Sequence, residues 1–165
     1  MTHDDHDQEM QTFWSFALKV YGAPGVREEC LALQDRDGVD VNVLLYVAFL
    51  AVAHGRTVTE GDCSVLIAAS DPWRRAVTEP LRALRREMKQ RAEADPRLAF
   101  VYDSLKRTEL DSERAEHLLL IDALPVQAGT SGGDPESALA ICLRAFGIRS
   151  PRMPERLLAA LKRPA

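Results

Sequence analysis

The sequence predicts an all-α fold, a single irregular helical bundle packed around a central apolar helix at about 41–53. Three observations lead there. Apolar residues recur at three- and four-residue intervals through most of the chain, the spacing that lines one face of a helix. No segment alternates apolar and polar residues convincingly over the length of a strand. Helix start and stop signals punctuate the periodic stretches: Asp-Pro at 71–72, 95–96 and 134–135, and Gly at 22, 55 and 147. With 165 residues, 46% apolar and 28% charged, the chain has the size of one domain and can bury a core without disulfides or a structural metal. The same figures exclude wholesale disorder.

Taken in order, residues 1–8 are expected to form a flexible acidic tail. A helical core over 9–124 follows, then a flexible linker over 125–134. A helical extension over 135–163 packs on the core. Met10, Phe13, Trp14, Ala17 and Tyr21 predict a first helix from about Gln8 to Tyr21. A second runs from about Pro24 to Gln34, with Val26, Cys30 and Leu33 inward. Asp40 is placed to cap the third, Val41 to Ala53, which is apolar nearly all round and so belongs inside a ring of others. Thr57 and Glu60 have the spacing of a capping box, with Thr59 as an alternative cap, for a fourth helix over about 60–69. Asp71-Pro72 signals a fifth, reaching about Ala92 with Trp73, Val77, Leu81, Leu84 and Met88 as its apolar stripe and a kink at Pro80. Asp95-Pro96 opens a sixth, to about Leu124. Short helices at about 135–146 and 154–162 close the chain.

The formal net charge of −4 comes from 21 basic and 25 acidic residues. Asp4, Asp5, Asp7 and Glu9 account for the surplus, so the body is balanced and lacks the field that draws nucleic acid or anionic membrane. Three separated cysteines, Cys30, Cys63 and Cys142, form no C-x-x-C pair and sit at apolar helix positions. The longest apolar run, Val43 to Ala53, is too short for a bilayer, which needs about 20 residues. These features point to a protein of the reducing cytoplasm, with no membrane partner.

The sixth helix carries a contradiction. Leu98, Tyr102 and Leu105 line one face, but Glu109 and Glu116 continue that face and Glu113 lies beside it. Carboxylates turned toward a core need partners. Arg74, Arg82, Arg85 and Lys89 form a basic band on the fifth helix, the expected antiparallel neighbour, and Arg can meet a carboxylate with two parallel hydrogen bonds. Three readings are open. The band and the carboxylates form an inter-helix ion-pair network; they line a cleft in which Arg82, Arg85 and Arg86 hold an anion and Glu109 or Glu113 acts on it; or they form a surface for a partner protein. Asn42, inside an apolar helix, needs a buried partner or a place at the helix mouth. The candidate site residues are therefore Asn42, Trp73, Arg74, Arg82, Arg85, Lys106, Glu109 and Glu113.

Other chemistry finds little footing. His3 and His6 flank two aspartates at the N-terminus and could capture a metal incidentally. Glu113 is followed at the third position by Glu116, not His, which argues against a carboxylate di-iron centre. Asp35 to Asn42 resembles a calcium loop only superficially, because Gly38 falls out of place for that loop and Tyr46 stands where it needs a bidentate Glu. No cofactor or metal is expected. The phosphate-loop, dinucleotide, nucleophile-elbow and zinc-protease motifs are absent, and no catalytic residue can be named. The Trp73-Arg74-Arg75 segment could face nucleic acid, through phosphates rather than bases.

Trp14-x-Phe16-Ala17, Tyr21-x-x-Pro24-Gly25-Val26, Cys30-Leu31-x-Leu33-Gln34-Asp35, Asp40-Val41-Asn42-x-Leu44-Leu45 and Trp73-Arg74 then Pro80-Leu81-Arg82-x-Leu84-Arg85 carry a resemblance, joined by Lys106-x-x-Glu109-Leu110-x-x-Glu113. Over about Phe13 to Leu124 the chain resembles an uncharacterised proteobacterial family catalogued only as a domain of unknown function. The resemblance implies a small helical cytoplasmic protein of bacterial origin and brings no activity, cofactor or catalytic residue.

The leading expectation is a non-enzymatic interaction or adaptor protein whose partner is unidentified, with homodimerisation open. A small-ligand protein or an enzyme acting on an anionic substrate, in the cleft between about 72–92 and 96–124, is the alternative. A weak nucleic-acid binder is the second. An enclosed pocket lined by Trp73, Arg82, Arg85 and Glu109 would favour the ligand; a filled ion-pair network with an apolar patch outside it would favour the adaptor.

Overall fold

A computed structural model describes residues 3–126, 133–149 and 152–162. Eight α-helices form the bundle: α1 His3–Tyr21, α2 Val26–Asp37, α3 Val41–His54, α4 Glu60–Trp73, α5 Glu79–Ala94, α6 Ala99–Ala123, α7 Pro135–Ala145 and α8 Glu155–Leu161. No strand occurs among the described residues.

The architecture follows from α3, whose side chains from Val43 to Ala51 are all buried. Asp40 starts it, its carboxylate accepting from the amides of Asn42 at 2.9 Å and Val43 at 3.4 Å. Gly55, left-handed at φ 61°, ends it. Helices α1, α2, α4, α6 and α7 all pack on this post. Phe13 of α1 meets the rings of Tyr46 and Phe49 at 4.9 and 5.3 Å. Ala138, Leu139, Cys142 and Leu143 of α7 are buried in the same core, so the segment after Pro125 completes it. All three cysteines are free and buried.

Helix α1 begins at His3 and so includes residues 3–8, where a flexible tail is expected. Its first turns are fastened to the bundle: His6 Nε2 lies 2.8 Å from Asp122 Oδ1, and His54 Nε2 lies 3.5 Å from Glu9 Oε1. The expected linker over 125–134 and the end of the expected C-terminal extension fall largely outside the described residues. Helix α8 starts without a side-chain cap of its own. Glu29 of α2 supplies one, accepting from the amides of Arg156 and Leu157 at 2.9 and 3.0 Å.

Two expectations at α4 and α5 are corrected. The capping box is Thr59 with Asp62, reciprocal in both bonds, rather than Thr57 with Glu60. Asp71-Pro72 does not begin a new helix either, and α4 passes through it to Trp73. The Asp71 carboxylate is drawn outward by Arg74 and Arg75, each at 2.9 Å, instead of capping. The chain stays helical into α5 through one π-helical turn, Arg74–Thr78, in which the Glu79 amide donates to the Arg74 carbonyl five residues back. That turn takes up the disturbance expected as a kink at Pro80, which follows it directly in a run that stays helical throughout. One residue beyond the α-helical repeat turns the following stretch by about 100°. Leu84, expected inward, is accordingly exposed, while Arg82 and Arg85 point to α6.

Candidate functional site

Helices α5 and α6 are antiparallel neighbours joined by a short 3-10 turn, Pro96–Leu98, capped by Asp95. Between them lies the ion-pair network. Glu109 is buried, only 8% exposed, and pairs with Arg85 and, at 3.4 Å, with Arg82. Arg82 also donates to Glu113 Oε1 at 2.9 Å and to Gln34 Oε1 at 2.8 Å, tying α2 to both helices. Burial opposes the Arg82 charge, but Glu113 and Glu109 outweigh it and hold the guanidinium above its ordinary range. The hydrogen bond from Arg85 to Glu109 does the same for Arg85.

Beside this network opens a cavity of about 550 Å³. Trp14, Leu18 and Tyr21 of α1 form one wall, and Arg27, Leu31 and Gln34 of α2 another. Asp40, Asn42 and Leu45 come from the start of α3; Arg74, Arg82, Arg85, Arg86 and Lys89 from the π turn and α5; and Tyr102, Lys106, Glu109, Glu113, Glu116 and His117 from α6. The cavity is therefore a place where five helices meet, rather than a groove between two.

Its floor is polar. Asp40 accepts from Ser70 Oγ at 3.0 Å and lies 3.9 Å from Arg74 Nε. Glu116, 1% exposed, meets Thr78 Oγ1 at 3.5 Å through Oε2, and its Oε1 has no hydrogen-bond partner. Burial pushes this carboxyl up to about 9, and the neighbouring Asp40 carboxylate adds to the shift. Both causes favour the neutral acid over the carboxylate. His117, 2% exposed, is packed against Phe13 at 4.2 Å and Trp14 at 5.4 Å. Burial and Arg114 lower it to about 3, so the ring is neutral. Its Nε2 is 3.1 Å from Asn42 Oδ1, which makes Nε2 the donor and leaves Nδ1 an acceptor without a partner.

Of the residues singled out in the sequence, Asn42, Arg74, Arg82, Arg85, Lys106, Glu109 and Glu113 line the cavity, and Trp73 does not. The Trp73 indole donates to the Ser112 carbonyl at 3.1 Å and bridges α4 to α6 instead. Asn42 finds its buried partner in His117. Arg27, Gln34, Tyr21 and the floor pair Glu116–His117 were not anticipated as site residues. Glu116 already lay on the acidic face of α6, and a buried glutamate without an arginine was the available signal. Among the described residues, no group of three or more His, Cys, Asp or Glu could hold a metal ion. No helix of the described residues is long and apolar enough to cross a membrane.

A family model described as Protein of unknown function (DUF2390) matches residues 12–120. No curated protein and no solved structure matches the chain.

Proposed function

The chain belongs to the DUF2390 family, and from that premise we propose that the protein binds a small anionic molecule in the cavity beside the arginine–glutamate network. The observation carrying this reading is the charge left over at the cavity wall. Glu109 and Glu113 are answered by Arg82 and Arg85, and Asp40 faces Arg74. Arg27, Arg86 and Lys106 also line the cavity, and among the described residues none has a carboxylate within 4.0 Å; against these three cations the wall sets Asp35, likewise without an ion pair, so positive charge is in excess. Cations lining a 550 Å³ space, a volume typical of small-molecule sites, favour an anion.

The network itself is filled, so Arg82 and Arg85 shape the wall rather than grip the ligand, and Glu109 is not a free base. This supports binding over catalysis. An adaptor would need a contiguous apolar face. Of the exposed large apolar side chains, Leu18 and Leu110 belong to the lining of the cavity itself, and Val52, Val65, Leu84 and Phe100 lie on α3, α4, α5 and α6.

Native mass spectrometry of the purified protein tests the reading, together with thermal shifts in citrate, phosphate, pyrophosphate and nucleotides. The expected result is a retained molecule, or a stabilising shift in at least one of these anions. Filling the cavity with Leu31→Trp abolishes either. A wild-type protein that retains nothing and is shifted by none of these anions refutes it.

A further inference from the structure

The cavity has two chemically different ends, and that difference specifies its occupant more closely than charge alone. Lys106 and Glu116 both line it from α6, ten residues apart, or about 15 Å along the helix axis. At the Lys106 end, Arg86 adds from α5 a second cation with no ion pair among the described residues. At the other end no cation answers Glu116 or His117; the Glu116 carboxyl leans on Asp40 and Asn42, while His117 Nδ1 is deeply buried and has no hydrogen-bond partner. A buried polar atom in that state carries a desolvation penalty. His117 Nδ1 asks for an N–H or O–H donor, and the Glu116 carboxyl can donate or accept. A fully deprotonated polyanion has acceptors only, and a fatty acid presents hydrocarbon; neither supplies the donor that His117 Nδ1 lacks. Trp14, packed beside His117, and Tyr21 also line the cavity, flat aromatic side chains suited to stacking on a planar ring. Arg114 already lies over the Trp14 ring at 5.1 Å, so the indole holds its orientation before any ligand arrives.

We infer that the occupant is a nucleoside di- or triphosphate, its phosphates at Arg86 and Lys106 and the hydrogen-bonding edge of its base over Glu116 and His117. A phosphate chain supplies charge where the cations are unpaired. The base supplies a ring for the aromatic wall, and its edge carries the donor that His117 Nδ1 lacks. An extended molecule of this class also matches the separation of about 15 Å set by the helix rise. The inference rests on the ligand-binding reading above and narrows it to one class.

Titration calorimetry on the full chain tests it with ADP and GDP against three controls: pyrophosphate, adenosine and guanosine. One nucleoside diphosphate is expected to bind at least ten-fold more tightly than pyrophosphate and than its own nucleoside. Arg86 and Lys106 are exposed, so the double substitution Arg86→Glu/Lys106→Glu is expected to leave the fold intact. It should weaken the diphosphate at least ten-fold while leaving nucleoside binding unchanged; undiminished diphosphate binding overturns the inference. Pyrophosphate binding as tightly as either nucleotide also overturns it, because the ring is then not recognised, while the anion-binding reading survives. The nucleotide inference fails in the same way if neither nucleotide binds but another small anion still stabilises the protein. If no anion binds at all, both fall.

Discussion

Arg82 joins three helices with one planar group. Its Nη1 donates to Gln34 of α2 at 2.8 Å, its Nη2 to Glu113 at 2.9 Å and its Nε to Glu109 at 3.4 Å. The fork geometry of guanidinium makes this arrangement available to Arg and not to Lys. Removing Arg82 leaves Glu113 without its arginine and Glu109 with Arg85 alone, and stranded buried charge is the costly case: Arg82→Ala is expected to lose about 3–5 kcal/mol. Arg85 is more exposed and shares only Glu109 with the network, so Arg85→Ala should cost less. In a double-mutant cycle Arg85→Ala and Glu109→Ala should couple by about 0.5–3 kcal/mol. Urea denaturation of the wild type, both single variants and the double variant measures it. Strictly additive losses would show that the contact does not bind the two helices energetically. That pairing was legible in the sequence because Glu109 sits on an apolar stripe and must find a cation. Gln34 was not legible: nothing in α2's own periodicity says which neighbour its amide will meet.

At the scale of elements, the start of α4 separates two overlapping signals. Thr57 with Glu60 and Thr59 with Asp62 are both spaced as capping boxes, and spacing alone cannot choose. The second forms because the Thr59 backbone is extended, at φ −107° and ψ 165°, and its hydroxyl accepts from the Asp62 amide at 3.1 Å. Thr59→Ala should therefore cost about 1 kcal/mol, a fall of about 2–4 °C in melting temperature for a domain of this size. Thr57→Ala should change it by less than half as much; equal effects from the two would sink the assignment. The π turn was invisible for a related reason. Pro72 and Pro80 both read locally as helix breaks, yet Arg74 satisfies Asp71 and Glu79 from within the segment and the chain continues as helix. Helices α3, α6 and α7 were easier, since each has a cap or a stop that tertiary contacts do not contest.

Across the whole molecule, two buried groups on adjacent positions pull the pH dependence of stability in opposite directions. His117 is lowered from 6.5 to about 3, so the unfolded chain binds the extra proton between those values and stability rises with pH. Glu116 is raised from 4.5 to about 9, so the folded chain holds the extra proton between those values and stability falls with pH. From 4.5 to 6.5 the two slopes oppose one another. Above that only Glu116 of the two still acts, and stability should decline by up to about 1.4 kcal/mol per pH unit toward about pH 9. Urea midpoints at about pH 6, 7 and 8 should show this slope in the wild type and a flatter one in Glu116→Gln. Parallel slopes would mean Glu116 is ionised in the folded state. The bundle and its apolar post were legible at this scale from the sequence; the cavity was not. It needs α1 and α2 to close over the α5–α6 pair, and that is decided by packing among elements whose own patterns fix only which face turns inward.

The clasp that Glu29 places on α8 has a consequence for how the molecule comes together. Both amides it holds belong to residues about 127 positions further along the chain, and no side chain at the start of α8 can do the same work. A ribosome has to deliver the chain as far as Leu157 before that carboxylate meets its ligands. Helix α8 is thus seated on a surface that earlier-made segments have already built.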